Sequence, residues 1–194
     1  MALLSEFCQI YILHFNEIKG LIPILIFSNE FIEKNENQIR PIKFHPIWFL
    51  NSENLRGFEQ VNLVYNEKVY FAKKFKIFLE RKKRKPRIKE ENFDKIVIII
   101  VLPREFDIYG SDLLNILMKT VKKNFSPSLN QIIESEILKE NLIISPKIKE
   151  IIKRADIVKE NIRNNLIKIC ENYFNSLKYP YEKNELNFLF KQKV

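Results

Sequence analysis

The pattern of hydrophobic and polar positions changes character midway along this chain. Its sharpest feature is Lys95–Pro103, KIVIIIVLP, where seven apolar and mostly β-branched residues run unbroken from Ile96 to Leu102. A strand with no polar alternation cannot turn a face to water, so this run predicts a central strand covered on both sides. It is far shorter than the roughly 20 apolar residues needed to cross a bilayer. Upstream, residues 8–15 (CQIYILHF) and 21–28 (LIPILIFS) read as strands joined by Asn16–Gly20, a short polar connection ending in Gly that suits a bulged hairpin. Pro23 places the second of them at a sheet edge or makes its first residues irregular. VNLVY, the pair Asn66-Glu67 and KVYFAKKFKIF alternate well enough for another antiparallel pair. In its second strand Val69, Phe71, Phe75 and Ile77 mark one face, and a slip near Ala72–Lys73 predicts a bulge.

After Pro103 the period changes from two to 3.6. Leu113, Leu114, Leu117, Val121 and Phe125 form one helical stripe, with Ser111 or Asp112 as its expected cap. Ser126-Pro127 opens a second helix whose Leu129, Ile132, Ile133 and Ile137 should face inward, and Ser145-Pro146 repeats the device. The third helix is expected over about 148–178, with Ile148, Ile151, Ile152, Ala155, Ile162, Leu166, Ile169, Tyr173 and Leu177 in its stripe. It should either cover the sheet face that residues 29–60 leave open or pair with a second molecule. Residues 29–60 carry the weakest pattern. Phe31–Gln38 suits a brief helix, Pro41 and Pro46 break the chain, Ile47–Leu50 is a short apolar run and Asn51–Glu59 suits a helical turn or two. Strands first and helices afterwards predict an α+β fold: a five-stranded antiparallel sheet with helices packed on it and a long C-terminal helix.

Composition refines this picture without redirecting it. The 194 residues are 46% hydrophobic with 16 Phe, enough for a sizeable core and incompatible with global disorder. The N-terminal stretch has no basic n-region and carries Glu6 ahead of its apolar part, so a secretory signal is not expected. Two cysteines, Cys8 and Cys170, without a CxxC, suit a reducing interior, and a cytoplasmic protein is expected. The net charge of +9 is concentrated: Arg81, Lys82, Lys83, Arg84, Lys85, Arg87 and Lys89 supply seven cations with no acid among them, leaving +2 for the rest. This basic loop suits an anionic membrane surface, an acidic protein or nucleic acid, and its ordinary role is a solvated connection. No aromatic residue interleaves residues 81–89, so a base-stacking platform is missing there.

Catalytic chemistry has little to draw on. The three glycines, Gly20, Gly57 and Gly110, are isolated, so no phosphate-cradling loop is recognisable. Two His and two Cys, all scattered, outline no zinc site. His14 alternates within a strand and His45 stands beside Pro46; neither comes with partners that would mark a general base. Glu105 and Asp107 follow the central strand, where catalytic carboxylates occur in open sheets, but acids at that place more often stabilise a helix N-terminus. The cysteines read as buried structural thiols. A protein without enzymatic activity, cofactor or metal is expected.

The element order resembles a longin domain. The residues that carry the likeness are QIYILHFNEIKGLIPILIF, then VNLVYNEKVYFAKKFKIF and KIVIIIVLP, then DLLNILMKTVKKNF and SLNQIIESEIL. They place a longin-like domain within 1–142 and leave 143–194 as a C-terminal helical extension. The likeness is to stand-alone longin-like proteins of archaea related to eukaryotic trafficking components. It implies a profilin-like fold, one helix on one face of the sheet and two on the other, with the first helix falling in 29–60. It further implies a non-enzymatic platform for a small GTPase, a longin or roadblock-type domain or another membrane-traffic partner, with homodimerisation and peripheral contact with anionic membrane compatible with it. The alternative is a nucleic-acid-binding protein that uses the basic loop.

Overall fold

The strand β5 (Phe93–Pro103) lies at the centre of the sheet, as its unbroken apolar run requires: Ile96 through Leu102 are each at most 1% exposed. The structure, a computed structural model, describes residues 8–16, 19–28, 41–42, 60–78, 93–139 and 144–177. Beside β5 run β1 (Gln9–Asn16) on one side and β4 (Lys68–Phe78) on the other, with β2 (Gly20–Phe27) and β3 (Gln60–Tyr65) at the two edges. The order is β2-β1-β5-β4-β3 and every pairing is antiparallel. Three helices follow: α1 (Asp107–Asn124), α2 (Ser126–Lys139) and the long α3 (Pro146–Leu177). The fold is therefore α+β, a five-stranded antiparallel sheet with helices packed on it.

Strand alternation divides the core into two layers. Ile96, Ile98, Ile100 and Leu102 share one face with Ile10, Ile12, Phe71 and Phe75, and all three helices pack there through Leu113, Leu117, Ile132, Ile162 and Leu166. Val97, Ile99 and Val101 face the other way with Tyr11, Leu13, Tyr70 and Ala72. The described residue that packs on this second face from outside the sheet is Ile42, 1% exposed in the helical pair Pro41–Ile42. The expected helices at Phe31–Gln38 and Asn51–Glu59, and the apolar run Ile47–Leu50, lie outside the described residues.

Local chemistry explains the turns and the edge. In the two-residue connection between β3 and β4, Asn66 and Glu67 both adopt left-handed backbone, with φ of 48° and 55°. A two-residue hairpin of this twist requires positive φ at both places. The Glu67 carbonyl then accepts the Arg104 N–H at 3.0 Å, tying this turn to the short 3-10 turn Arg104–Phe106. In the first hairpin the Asn16 side-chain oxygen accepts the Lys19 N–H, and Gly20 supplies φ 74°. Pro23 has both of its expected effects. Strand β2 is an edge strand, and its register with β1 slips so that Ile12 opposes Leu25 while Leu13 opposes Pro23. The extra residue, Ile24, sits where the proline has no N–H to offer the ladder.

Four expectations change. First, β4 has no bulge at Ala72–Lys73: its register with β5 is continuous from Lys68 to Phe78, and Lys73 stays on the helical face, where its ammonium donates to Asn115 Oδ1 at 2.8 Å. A lysine there interrupts the apolar pattern without interrupting the strand, because its stem packs and its tip finds a partner. Second, neither Ser111 nor Asp112 caps α1, which starts at Asp107 straight after the 3-10 turn. Ser111 instead accepts Gln60 Nε2, and Asp112 accepts the Tyr173 hydroxyl. Third, Ile137 is 55% exposed, whereas Ser135 takes the buried position and donates to the Ile132 carbonyl. Fourth, α3 does not cover the face left to residues 29–60; it lies on the same side as α1 and α2. Ser145 Oγ accepts the Ile148 N–H and starts α3 as expected. The chain then folds back along α2, where Glu136 holds both Lys159 and Lys139.

Gly110 allows α1 its close approach to β4. A Cβ at this position would overlap the ring of Phe71, itself 2% exposed and unable to swing away. Alanine would raise helix propensity by about 1 kcal/mol, but forcing atoms into a packed core costs about 1–3 kcal/mol. Gly110→Ala should therefore lower the urea unfolding midpoint, and Phe71→Leu in the same chain should recover part of the loss. A midpoint raised by Gly110→Ala alone would show that helix and strand are not in contact there.

Ile162 and Leu166 of α3 are 1% and 0% exposed. Leu166→Ala should cost about 2–5 kcal/mol of unfolding free energy, with the cost independent of protein concentration. A loss confined to self-association, with the monomer as stable as before, would place this residue at an interface instead.

Candidate functional site

The basic run Arg81–Lys89 lies outside the described residues, but both of its anchors are described. It connects Phe78, the last residue of β4, to Phe93, the first of β5, and these two are directly paired across the strands. Their rings meet edge to face, with centroids 5.6 Å apart and planes at 77°. Antiparallel pairing brings the two side chains together, and the strand ends leave them 58% and 38% exposed. Pairing of this kind contributes up to about 1 kcal/mol to a hairpin.

Chain direction gathers further charge at this end of the sheet. Strand β1 runs antiparallel to β5, so its turn into β2, with exposed Lys19, lies beside Phe93. Lys95 extends over the Phe15 ring, 5.9 Å from its centroid, and its cross-strand neighbour Lys76 is exposed. Helix α1 runs back along β4 and ends with exposed Lys122 and Lys123 in its last turn. Cations at that place complement the helix dipole. Ser126 donates to the Lys122 carbonyl where α1 gives way to α2, and Asn130 Nδ2 then donates to the Phe78 carbonyl at 2.8 Å. Lys76 and Lys95, paired with each other, stand two residues from Phe78 and Phe93 on the same face of the sheet.

A second surface feature lies at the β2 edge. Pro23–Ile26 and the α3 residues Asp156, Lys159, Glu160 and Arg163 line an open cleft of about 330 Å³. Its charged wall is held in place by neighbours: Arg163 stacks over Phe27, Lys159 reaches Glu136, and Asp156 lies 3.7 Å from Lys139. Burial alone would raise the Glu136 carboxyl. The ammonium groups of Lys159 and Lys139 outweigh it and hold that carboxyl below its ordinary range. An edge strand beside alternating charges offers main-chain hydrogen bonds and a sign pattern to an extended segment or a partner's surface.

The polar residues singled out from the sequence are dispersed. His14 and Asp94 meet on the helical face, Nε2 to Oδ2 at 3.1 Å, with side chains 8% and 11% exposed. The pair satisfies two polar groups at the end of the core, and removing one partner would leave the other buried alone. Cys8 and Cys170, 162 positions apart in the chain, are both free and fully buried, and they are neighbours. The hydrogen-bonded Cys170 thiol, and then burial, push the Cys8 thiol well above its ordinary range, the opposite of an activated nucleophile. Glu105 lies exposed in the 3-10 turn and Asp107 opens α1, the placement of helix-start acids. His45 lies outside the described residues. Among the described residues no three His, Cys, Asp or Glu side chains cluster as metal ligands, and no helix is long and apolar enough to cross a membrane.

The Phe78–Phe93 pair was missed because each ring, read alone, is one more apolar residue at a strand end. The available signal was that both bracket the basic run, which becomes meaningful only once the hairpin register sets them opposite each other. No protein-family model matches this chain, and no curated protein is significantly similar to it.

Tyr173 connects α3 to the start of α1: its hydroxyl donates to Asp112 Oδ2 at 3.1 Å and lies 3.4 Å from the Tyr109 carbonyl. Burial, then the Asp112 carboxylate, push its pKa up to about 12. A folded-state pKa above the unfolded value of about 10 contributes stability that is complete below pH 10 and is lost as pH rises towards 12. Wild-type stability relative to Tyr173→Phe should thus stay constant up to about pH 9 and decline above pH 10, as read by urea unfolding at each pH. An unchanging difference through pH 11 would mean that the hydroxyl is not held by Asp112.

Proposed function

We propose that this protein is a non-enzymatic interaction module of the longin type, a platform that binds a small GTPase or another membrane-traffic partner. It acts in the cytoplasm with its basic loop towards anionic membrane. The observation that carries the reading is the topology. Two strands, a connecting segment and three more strands give the order β2-β1-β5-β4-β3, and the chain closes with helices on one face. A five-stranded antiparallel sheet with two helices after its last strand on one face is part of what the resemblance of the sequence to longin domains implies; the helix it places on the other face falls in 29–60, where residues 41–42 are described. The β2–α3 cleft supports it as a place for the partner, since it joins an edge strand to a row of charges of both signs.

The test is binding of small GTPases from the protein's own cells, purified and loaded with GDP or a non-hydrolysable GTP analogue, to the immobilised protein. Binding that depends on the nucleotide, with affinity reduced about tenfold or more by Glu160→Arg together with Arg163→Glu, is the expected result. Retention of no GTPase in either state, and of no longin or roadblock-type domain, would remove the reading. Undiminished binding by the cleft variant would move the partner to another surface.

A further inference from the structure

We infer that β2 and α3 form the interface of a symmetric dimer: the β2 edge pairs antiparallel with the β2 edge of a second copy, and the charged stripe of α3 meets the same stripe of that copy. This goes beyond the reading above and does not rest on it. It does close the cleft that the reading offers to a partner, so a partner there competes with the second copy.

An edge strand presents unpaired N–H and C=O groups, and proteins usually guard such a strand with charged side chains. Strand β2 has no such guard: GLIPILIF holds no charged or polar side chain over its eight residues. The opposite edge, β3, is six residues long and carries Gln60 and Asn62. What protects β2 is Pro23, and Ile24–Phe27 lie beyond it with their amides intact. Ile22, Pro23 and Ile26 are half-buried, and among the described residues no strand lies outside β2.

The α3 wall of the cleft identifies the occupant. Its stripe reads Asp156, Lys159, Glu160 and Arg163: acid, base, acid, base in chain order. Two copies of this helix, laid antiparallel about the midpoint between Lys159 and Glu160, set each Asp156 against the other copy's Arg163 and each Lys159 against its Glu160. Every facing pair then has opposite signs. Laid parallel in register, the same stripes would set each charge against its like, which repels. The stripe covers about 10 Å of helix, a spacing that a second α3 repeats by identity. An extended segment, whose same-face side chains recur about every 7 Å, does not match it. An edge strand that pairs antiparallel with its own copy needs a two-fold axis, as antiparallel helices do, so edge and stripe specify one symmetry. The Asp156 and Glu160 side chains are 56% and 61% exposed, and Arg163 stacks over the Phe27 ring at the end of β2. Within the helix Arg163 lies 4.0 Å from Glu160, a loose surface contact that a better-placed carboxylate displaces at little cost.

Sedimentation velocity of the purified full chain over a range of concentrations tests the inference. Wild type should show a reversible monomer–dimer equilibrium that weakens as salt rises. Arg163→Glu sets acid against acid at both ends of the paired stripes, and Asp156→Arg sets base against base. Each variant alone should dimerise about tenfold or more weakly. An equimolar mixture of the two should recover the wild-type affinity, because each end then joins an acid to a base. Recovery on mixing also separates a broken interface from a damaged fold, since a misfolded chain is not restored by its counterpart. Hydrogen exchange of the Ile24–Phe27 amides should slow as concentration rises through the dimerisation range. Wild type that stays monomeric at about 0.1 mM, or single variants that dimerise as well as wild type, would overturn the inference. Two folded variants that remain monomers when mixed would overturn the antiparallel pairing of α3, and a dimer without slowed exchange in β2 would overturn the continuous sheet. Each measurement uses the protein alone, so the GTPase reading stands or falls by its own experiment.

Discussion

Burial of β5 on both faces is the constraint from which the architecture follows. A seven-residue apolar run without alternation needs two layers of cover and two neighbouring strands. The flanking hairpins supply the neighbours. Antiparallel pairing through short connections brings β1 to one side and β4 to the other, which leaves β2 and β3 as edges. Each edge is moderated locally: β2 by Pro23 and a register slip, β3 by its length of only six residues. The helices that follow β5 all pack on one face, and α3 is long enough to reach from the β2 edge to the start of α1.

Polar groups inside this frame serve mainly to close it. Lys73 enters the helical layer and is satisfied by Asn115; His14 and Asp94 satisfy each other at the end of the strands; Tyr173 anchors α3 to Asp112. Each leaves a buried or half-buried donor paired, which avoids a penalty of about 1–3 kcal/mol for an orphaned group. The Cys8–Cys170 pair packs as a small apolar contact between β1 and α3, with burial and mutual contact keeping the Cys8 thiol protonated. Among the described residues these contacts are spread through the core. The β2–α3 cleft and the exposed Phe pair lie at the periphery.

Much of the fold was legible in the sequence because its signals are local. The strand runs, the change of period after Pro103 and the Ser-Pro helix starts report backbone preferences and one-sided burial within a few residues of themselves. The failures are equally physical. The expected bulge in β4 mistook a satisfied lysine for a break, and the expected cap of α1 overlooked that Pro103 leads through a 3-10 turn directly into helix. Ile137 matches its helical stripe but extends past the layer it would pack against, so periodicity alone overstated its burial.

By itself the sequence determined the α+β class, the central strand, the edge position of β2 and the concentration of positive charge between β4 and β5. Each of these depends on residue types within one segment. Only the tertiary structure decided which face α3 covers, that Cys8 meets Cys170, that His14 meets Asp94, and that Phe78 and Phe93 stand together. Those are contacts between segments. They are set by strand register and by the direction in which each helix returns, and no local pattern encodes either.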